Sequence, residues 1–369
     1  AHCCVAVGSV TTRMLDRCME GHLASDRHTT DGKLSSPSDY DGSPATGMIG
    51  VISGDFTITR PSHSRTANRL CHHPFPDLMR IETLDLDFGQ TAETIAAVLV
   101  FGPEGPVLVE TGPASTLSTL LARLEEHGVQ PGDVRHVLVT HIQLDHAGAA
   151  GWWAQQGATV YVHPNGERHL IDPSKLLTSA ERIYEDRMDS LWGRTVPAPA
   201  ENVVAVKGDS TIEAAGLEFV ALETPGHARH HHGNRLGDVA FTGDAAGVRL
   251  GERHWIDLPA PPPEFDLGAW KGTLTRLRSE NLDTLFRTHF GPTSDVSVQL
   301  DQFEAHLEEG AALVRDMMAE GLDREAMIDR YNQTMWRLAS ADGVDDAAAL
   351  AYELANPRFM SVDGISRYW

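Results

Sequence analysis

Cysteine is scarce and poorly placed for a disulfide framework. The 369-residue chain has four, Cys3, Cys4, Cys18 and Cys71, and no cysteine follows residue 71. Disulfides therefore do not hold the main body together, and any metal there must be held by His, Asp or Glu. Long apolar runs are missing too: none approaches the ~18 residues of a membrane helix, so a helical membrane protein is excluded and no membrane partner is expected. Basic residues are outnumbered 30 to 52 by acidic ones, for a formal net charge of −22. A surface that negative repels phosphate backbones, and no nucleic-acid partner is expected. AHCCVAVGSV has neither the basic start nor the apolar length of a secretory signal, so a cytoplasmic location is expected. Gly102, Gly105 and Gly112 do not make a phosphate-binding loop, because the helix that follows has neither the glycine spacing nor the lysine.

What remains is ordinary for a folded protein, with 41% hydrophobic and 22% charged residues. A chain of this size buries roughly 75% of its unfolded surface. The first 78 residues stand apart. Stretches such as TTDGKLSSPSDYDGSPATG show no period of 2 or 3.6, and such a composition cannot offset ordering entropy by apolar burial. Residues 1–78 are therefore predicted to be a disordered tail, and Cys3, Cys4, Cys18 and His22 fit no zinc-finger spacing. From Met79 onward, short alternating or apolar strands such as IETLDLDF, GPVLVE and VRHVLV interleave with helical segments. The pattern predicts an α/β body over 79–298 and a helical extension over 299–369 packed on it. Leu307, Leu313, Met317 and Met318 in the amphipathic 301–352 stretch point to core packing or to a homodimer face.

Chemistry concentrates at strand ends. His141, Gln143, Asp145 and His146 lie where the strand VRHVLV gives way to a helix, a turn that gathers them around one concave spot. Three more elements are placed alike: His227 in TPGH, Asp244 in FTGD and His289 in RTHFGP. One such histidine would more often be an ordinary core or surface residue. Six His and Asp donors, each just after an apolar strand, suit zinc, manganese or iron. Glu110 in LVETGP is expected to make structural hydrogen bonds, and His163 either faces the site or is structural. His230, His231 and His232 read as a solvated turn, with a contact to the site as the alternative. The helical spacing of the segment 163–193 more often means ordinary packing, with a helical lid carrying Tyr184, Arg187 or Trp192 onto the substrate as the alternative.

These residues resemble the metallo-β-lactamase superfamily, whose signature is His-x-His-x-Asp-His followed by a His, an Asp and a last His. Order and spacing match from Met79 to about Pro292. The resemblance implies a four-layered αβ/βα sandwich with a binuclear metal site at one edge of the paired sheets. It implies that His141 and His227, with residue 143, bind a first metal. Asp145, His146 and His289 would bind a second, and Asp244 would bridge them. The family's second histidine is Gln143 here, a neutral oxygen donor much weaker for zinc than imidazole. One or two Zn2+ per chain are therefore expected, with iron or manganese as alternatives. The implied activity is hydrolysis of a small-molecule ester, thioester or lactone by zinc-activated water, with Asp145 orienting the water or taking up a proton. Two alternatives stand beside it. His141, His227 and Asp244 also form the two-His, one-carboxylate set of mononuclear iron sites, as in the superfamily's sulfur dioxygenases. A catalytically impaired relative is the other, although drift would strike more positions than 143.

Overall fold

Alternate residues of the central strands are buried on opposite faces, so each strand needs cover on both sides. A computed structural model describes residues 80–369 apart from residue 252. The expected tail, with its four cysteines and His22, lies outside the described residues. The first sheet contains β1 (Ile81–Asp85), β2 (Ala96–Gly102), β3 (Gly105–Val109), β4 (His136–Leu138), β5 (Thr159–Val162) and β6 (Val203–Ala205), in that order. β1 to β3 are antiparallel, and β3 to β6 are parallel. The second sheet runs from β7 (Thr211–Ala214) through β8 (Leu217–Glu223), β9 (His232–Leu236), β10 (Val239–Gly243) and β11 (Thr284–Arg287) to β12 (Gly291–Thr293). It is antiparallel except between β10 and β11.

Between the sheets, Val98, Val100, Val107, Val109 and Leu138 meet Phe219, Ala221, Phe241 and Phe286. The intervening residues Leu99, Leu108 and Val137 point outward into a helical layer, as do Leu222, Ala240 and Leu285 on the other side. Helix, sheet, sheet, helix is thus the layer order, a four-layered αβ/βα sandwich. The first outer layer includes α1 (Leu117–Glu126), α2 (Leu144–Ala147) and α3 (Ala150–Gln155). Next come α4 (Pro164–Ile171), α5 (Ser174–Tyr184) and α6 (Met188–Trp192); the amphipathic spacing over 174–192 reads as one helix, but a 3-10 turn at Glu185–Arg187 breaks it. Phe219, fully buried, fills the inter-sheet space. Phe219→Ala is expected to cost about 4 kcal/mol, read as a lowered denaturation midpoint.

The other outer layer is α7 (Leu267–Ser279) together with the C-terminal helices α8 (Val296–Ala319), α9 (Arg324–Ala341), α10 (Asp346–Ala355) and α11 (Arg358–Tyr368). Leu300, Phe303, Leu307, Ala311 and Val314 recur every three or four residues and turn one face of α8 into the core. Asp266, Asp323 and Asp345 cap α7, α9 and α10 by accepting the backbone N–H three residues on. Among the described residues, no helix is long and apolar enough to cross a membrane.

A buried ionic group lies under this layer. Burial pushes the Glu353 carboxyl up to about 7, only partly opposed by the Arg358 guanidinium and helped by Asp257. A folded-state pKa above the unfolded 4.5 means that the fold favours the protonated acid. Stability is therefore full below pH 4.5 and declines as pH rises to about 7, by on the order of 3 kcal/mol. Glu353→Gln is expected to flatten that decline and to raise Tm at pH 8 but not at pH 4. An unchanged slope of stability against pH would refute it.

Candidate metal centre

Each donor sits where a strand or a short helix ends at the same edge of the two sheets. His141 follows β4, Asp145 and His146 lie on α2, His227 follows β8, Asp244 follows β10 and His289 follows β11. Two glycines make the close approach geometrically workable. Gly226 has φ +135°, and a Cβ there would meet the Trp270 backbone at 2.6 Å. Gly243 has φ +51°, and a Cβ there would meet Thr140 Oγ1 at 2.4 Å.

The donors converge. Asp244 is central, with Oδ2 3.4 Å from His227 Nε2 and Oδ1 3.4 Å from His146 Nε2 and 3.6 Å from His289 Nε2. Asp145 Oδ2 lies 3.5 Å from the Nε2 atoms of both His146 and His289. The rings of His141 and His227 are 4.7 Å apart, and those of His141 and His146 are 4.0 Å apart. Two groups have donor atoms within 4.8 Å of one another: His141, His146 and Asp244, and Asp145, His146 and His289. His146 thus belongs to both groups, whereas the sequence comparison assigned it to the second alone. Gln143 caps α2 through its backbone carbonyl, which accepts from His146 and Ala147 N–H, while its side chain makes no cap hydrogen bond.

Every imidazole has its Nδ1 occupied from behind. His227 Nδ1 donates to Pro259 O at 2.8 Å, and His289 Nδ1 to Thr94 O at 2.7 Å. His146 Nδ1 meets Glu110 Oε1 at 3.2 Å, and His141 Nδ1 meets Thr140 Oγ1 at 3.1 Å. The Nε2 atoms of His141, His146 and His227, together with Asp244 Oδ1, are buried without a hydrogen-bond partner. Inward-facing orphaned nitrogens with fixed tautomers are what a metal requires of histidine, so the residues present fit a metal ion. Glu110 does much of this fixing. Its carboxylate accepts from Thr140 N and Oγ1, His146 Nδ1 and Thr288 Oγ1, the structural role expected of it.

Charge follows the same logic. Burial, reinforced by the neighbouring His146 and His227, holds His141 well below its usual pKa, and burial likewise lowers His227. Both are neutral donors. Burial also opposes charge on His146, but Asp145, Asp244 and Glu110 outweigh it and hold its pKa well above the usual value. For Asp244, burial is overcome by His146 and His227, which keep the carboxyl far below the carboxylate range. A cation entering beside Asp145, His146 and His289 must displace a proton, so its affinity rises with pH.

The three-histidine run is not a solvated turn. His231 and His232 are fully buried. His231 Nδ1 meets Thr224 Oγ1 at 2.8 Å, and its Nε2 accepts from the Asp244 N–H at 3.3 Å. His232 opens β9 and reaches Val139 O through Nε2 at 3.0 Å. Low strand propensity in HGNRL concealed this element, although His231 is the alternative that had it contacting the site. His163 is structural: it pairs with Glu223 at 3.1 Å and caps α4. In the segment weighed as a lid, Tyr184 Oη donates to Met360 Sδ at 3.5 Å and its ring meets Trp192, which stacks on Phe88. Burial, then the nearby Asp145 charge, push the Tyr184 hydroxyl up, so it stays protonated. Sequence reasoning had no signal for Thr94 or Pro259, because they act through backbone carbonyls.

Residues 91–289 match the family profile described as "Metallo-beta-lactamase superfamily". A metallo-beta-lactamase fold-containing protein of Sulfurisphaera tokodaii is 27% identical over 189 residues, 49% of this chain and 67% of that protein. Metallo-beta-lactamase domain-containing protein 1 of Rattus norvegicus is 45% identical over 168 residues, 43% of this chain. The match spans about half of the rat protein, 53% of its length. Among solved structures, a metallo-beta-lactamase family protein of Thermus thermophilus superposes with a TM-score of 0.54 at 23% identity, covering 78% of this chain and 91% of that one. An archaeal superfamily protein from Sulfolobus tokodaii gives 0.51 at 22% identity, covering 63% and 86%. At such identities the superpositions speak for the fold alone.

Proposed function

The chain belongs to the metallo-β-lactamase superfamily, whose members are generally metal-dependent hydrolases, and from that premise we propose that it is a zinc-dependent hydrolase of a small-molecule ester, thioester or lactone. The observation that carries the reading is the set of buried, unpartnered Nε2 atoms facing the Asp244 carboxylate, each imidazole fixed through its Nδ1. His141 and His227 would hold one ion, Asp145, His146 and His289 the other, with Asp244 between them. Such an ion supplies Lewis acidity and lowers the pKa of a water molecule towards ~7.

The chain's own residues supply the rest. Asp145 has the most open side chain of the central carboxylates, 15% exposed against 3% for Asp244. Burial would raise its pKa, but His146 and His289 bring it below the usual value, so it is ionised and accepts a hydrogen bond from the attacking water. Glu110 and the Thr94 and Pro259 carbonyls keep the imidazoles from rotating, so no reorganisation is needed during reaction. The formal charge of −22 favours small neutral or cationic substrates over nucleic acids.

The test is elemental analysis of protein loaded with excess zinc and dialysed, followed by assay on a panel of thioesters, lactones and simple esters. Zinc at about one or two per chain with metal-dependent turnover of one class supports the reading. One iron per chain with oxygen uptake on thiols would replace it with the mononuclear dioxygenase, and metal without turnover of any panel member would mean an impaired relative.

A further inference from the structure

The C-terminal helices lie outside the residues that match the family profile, yet they touch the backbone that aims His227. The link runs through the segment Asp257–Ala260. Pro259 O accepts the His227 Nδ1–H at 2.8 Å. Ser361 on α11 brackets that proline: its Oγ–H donates to Leu258 O at 2.6 Å, and its Oγ accepts from Ala260 N–H at 3.2 Å. Asn356, between α10 and α11, donates to Leu258 O at 3.1 Å and to Asp257 Oδ2 at 3.0 Å. Ser361 and Asn356 are both buried. Packing reinforces the bracket, because a Cβ at Gly364 would come within 2.0 Å of Ala260 O, so α11 lies directly on this backbone.

We infer that Ser361 is a positioning residue for the metal centre, holding Pro259 so that its carbonyl fixes the tautomer and orientation of His227. The bond to Leu258 O pins the peptide group before the proline, and the bond from Ala260 N–H fixes the plane of the Pro259–Ala260 peptide group that carries Pro259 O. That plane decides where the Pro259 lone pairs point. The His227 ring then presents Nε2 to Asp244 at 3.4 Å. The helical extension is thereby part of the metal centre's support as well as cover for the second sheet.

The inference rests on His227 being a metal ligand, and the test separates the two ideas. Ser361→Ala removes one oxygen and leaves Gly364 and the packing of α11 intact. Zinc affinity, measured by chelator competition, is expected to fall roughly tenfold, the low end for loss of a partner that orients a ligating histidine. In metal-free protein carrying 15N-labelled histidine, His227 is expected to be a pure Nδ1–H tautomer in the wild type and a mixture in Ser361→Ala. Tyr352→Phe is the control. It loses hydrogen bonds from the same extension, at Leu250 N and Trp255 O, which do not adjoin His227, and is expected to keep wild-type affinity and tautomer. Unchanged affinity and tautomer in Ser361→Ala, or an equal loss in Tyr352→Phe, would overturn the inference. If the wild type binds no zinc, the ligand reading fails, and the tautomer spectrum still decides whether Ser361 positions the ring.

Discussion

Asp244→Ala is expected to leave less than about 0.2 zinc per chain under loading that gives the wild type one or more, and to lower kcat/KM at least ~1000-fold. The reason is its central position. Asp244 is the carboxylate that adjoins His227 through one oxygen and His146 and His289 through the other. Removing it leaves each group of donors short of a ligand and of a negative charge. Global unfolding is not expected. In the metal-free state the His146 cation keeps Asp145 and Glu110 as partners, and the loss of Asp244 makes neutral imidazoles easier to hold. The readout can be made without any substrate. Zinc at a hundred times its Kd stabilises a folded protein by about 2.7 kcal/mol. For a unit of this size that is a rise in Tm of roughly 4 °C. The wild type should show it and the variant should not. An equal zinc-induced rise in both proteins would mean that Asp244 is not a ligand.

Gln143→His moves in the opposite direction. Zinc is expected to rise from about one to about two per chain, with a gain in turnover, because an imidazole replaces a neutral amide at the position that the family signature pairs with His141 and His227. Position 143 is half-buried at the start of α2 with extended backbone, φ −63° and ψ 155°, and its side chain makes no cap hydrogen bond that the replacement would break. Its backbone role, accepting from His146 and Ala147 N–H, survives any side chain. The fold is therefore expected to be unchanged while the donor set changes. Preparations treated identically and compared by elemental analysis decide the matter. Equal zinc and equal rates would show that residue 143 takes no part in binding the metal.

Much of this was written in local sequence. The near-continuous apolar run AAVLVFG, buried over its first five residues, marks a strand covered on both faces, and such strands are the physical cause of the four layers. The donors were legible because each follows an apolar strand and most stand next to glycine or proline, where the chain must turn sharply. Helix α7 falls where its apolar spacing and Asp266 cap place it. Less legible was anything that depends on the partner a residue meets. HGNRL lacks β-branched residues and looks like a loop, but it is the strand β9 because β8 and β10 both supply its ladder. The 174–192 segment reads as one helix, yet it breaks at Glu185, which adopts φ +48°.

The sequence by itself determined the kinds of donor, their order and their placement at strand ends, since alternation, turns and ligand chemistry are properties of neighbouring residues. Tertiary structure alone decided how close those donors come, with His146 Nε2 within 3.5 Å of both Asp145 and Asp244, and which nitrogen of each imidazole faces inward. That choice is made by Thr94, Thr140, Pro259 and Glu110, residues up to 195 positions from the ring they orient. A tautomer is set by the hydrogen bond on the far side of the ring, and no local pattern records which distant carbonyl will provide it.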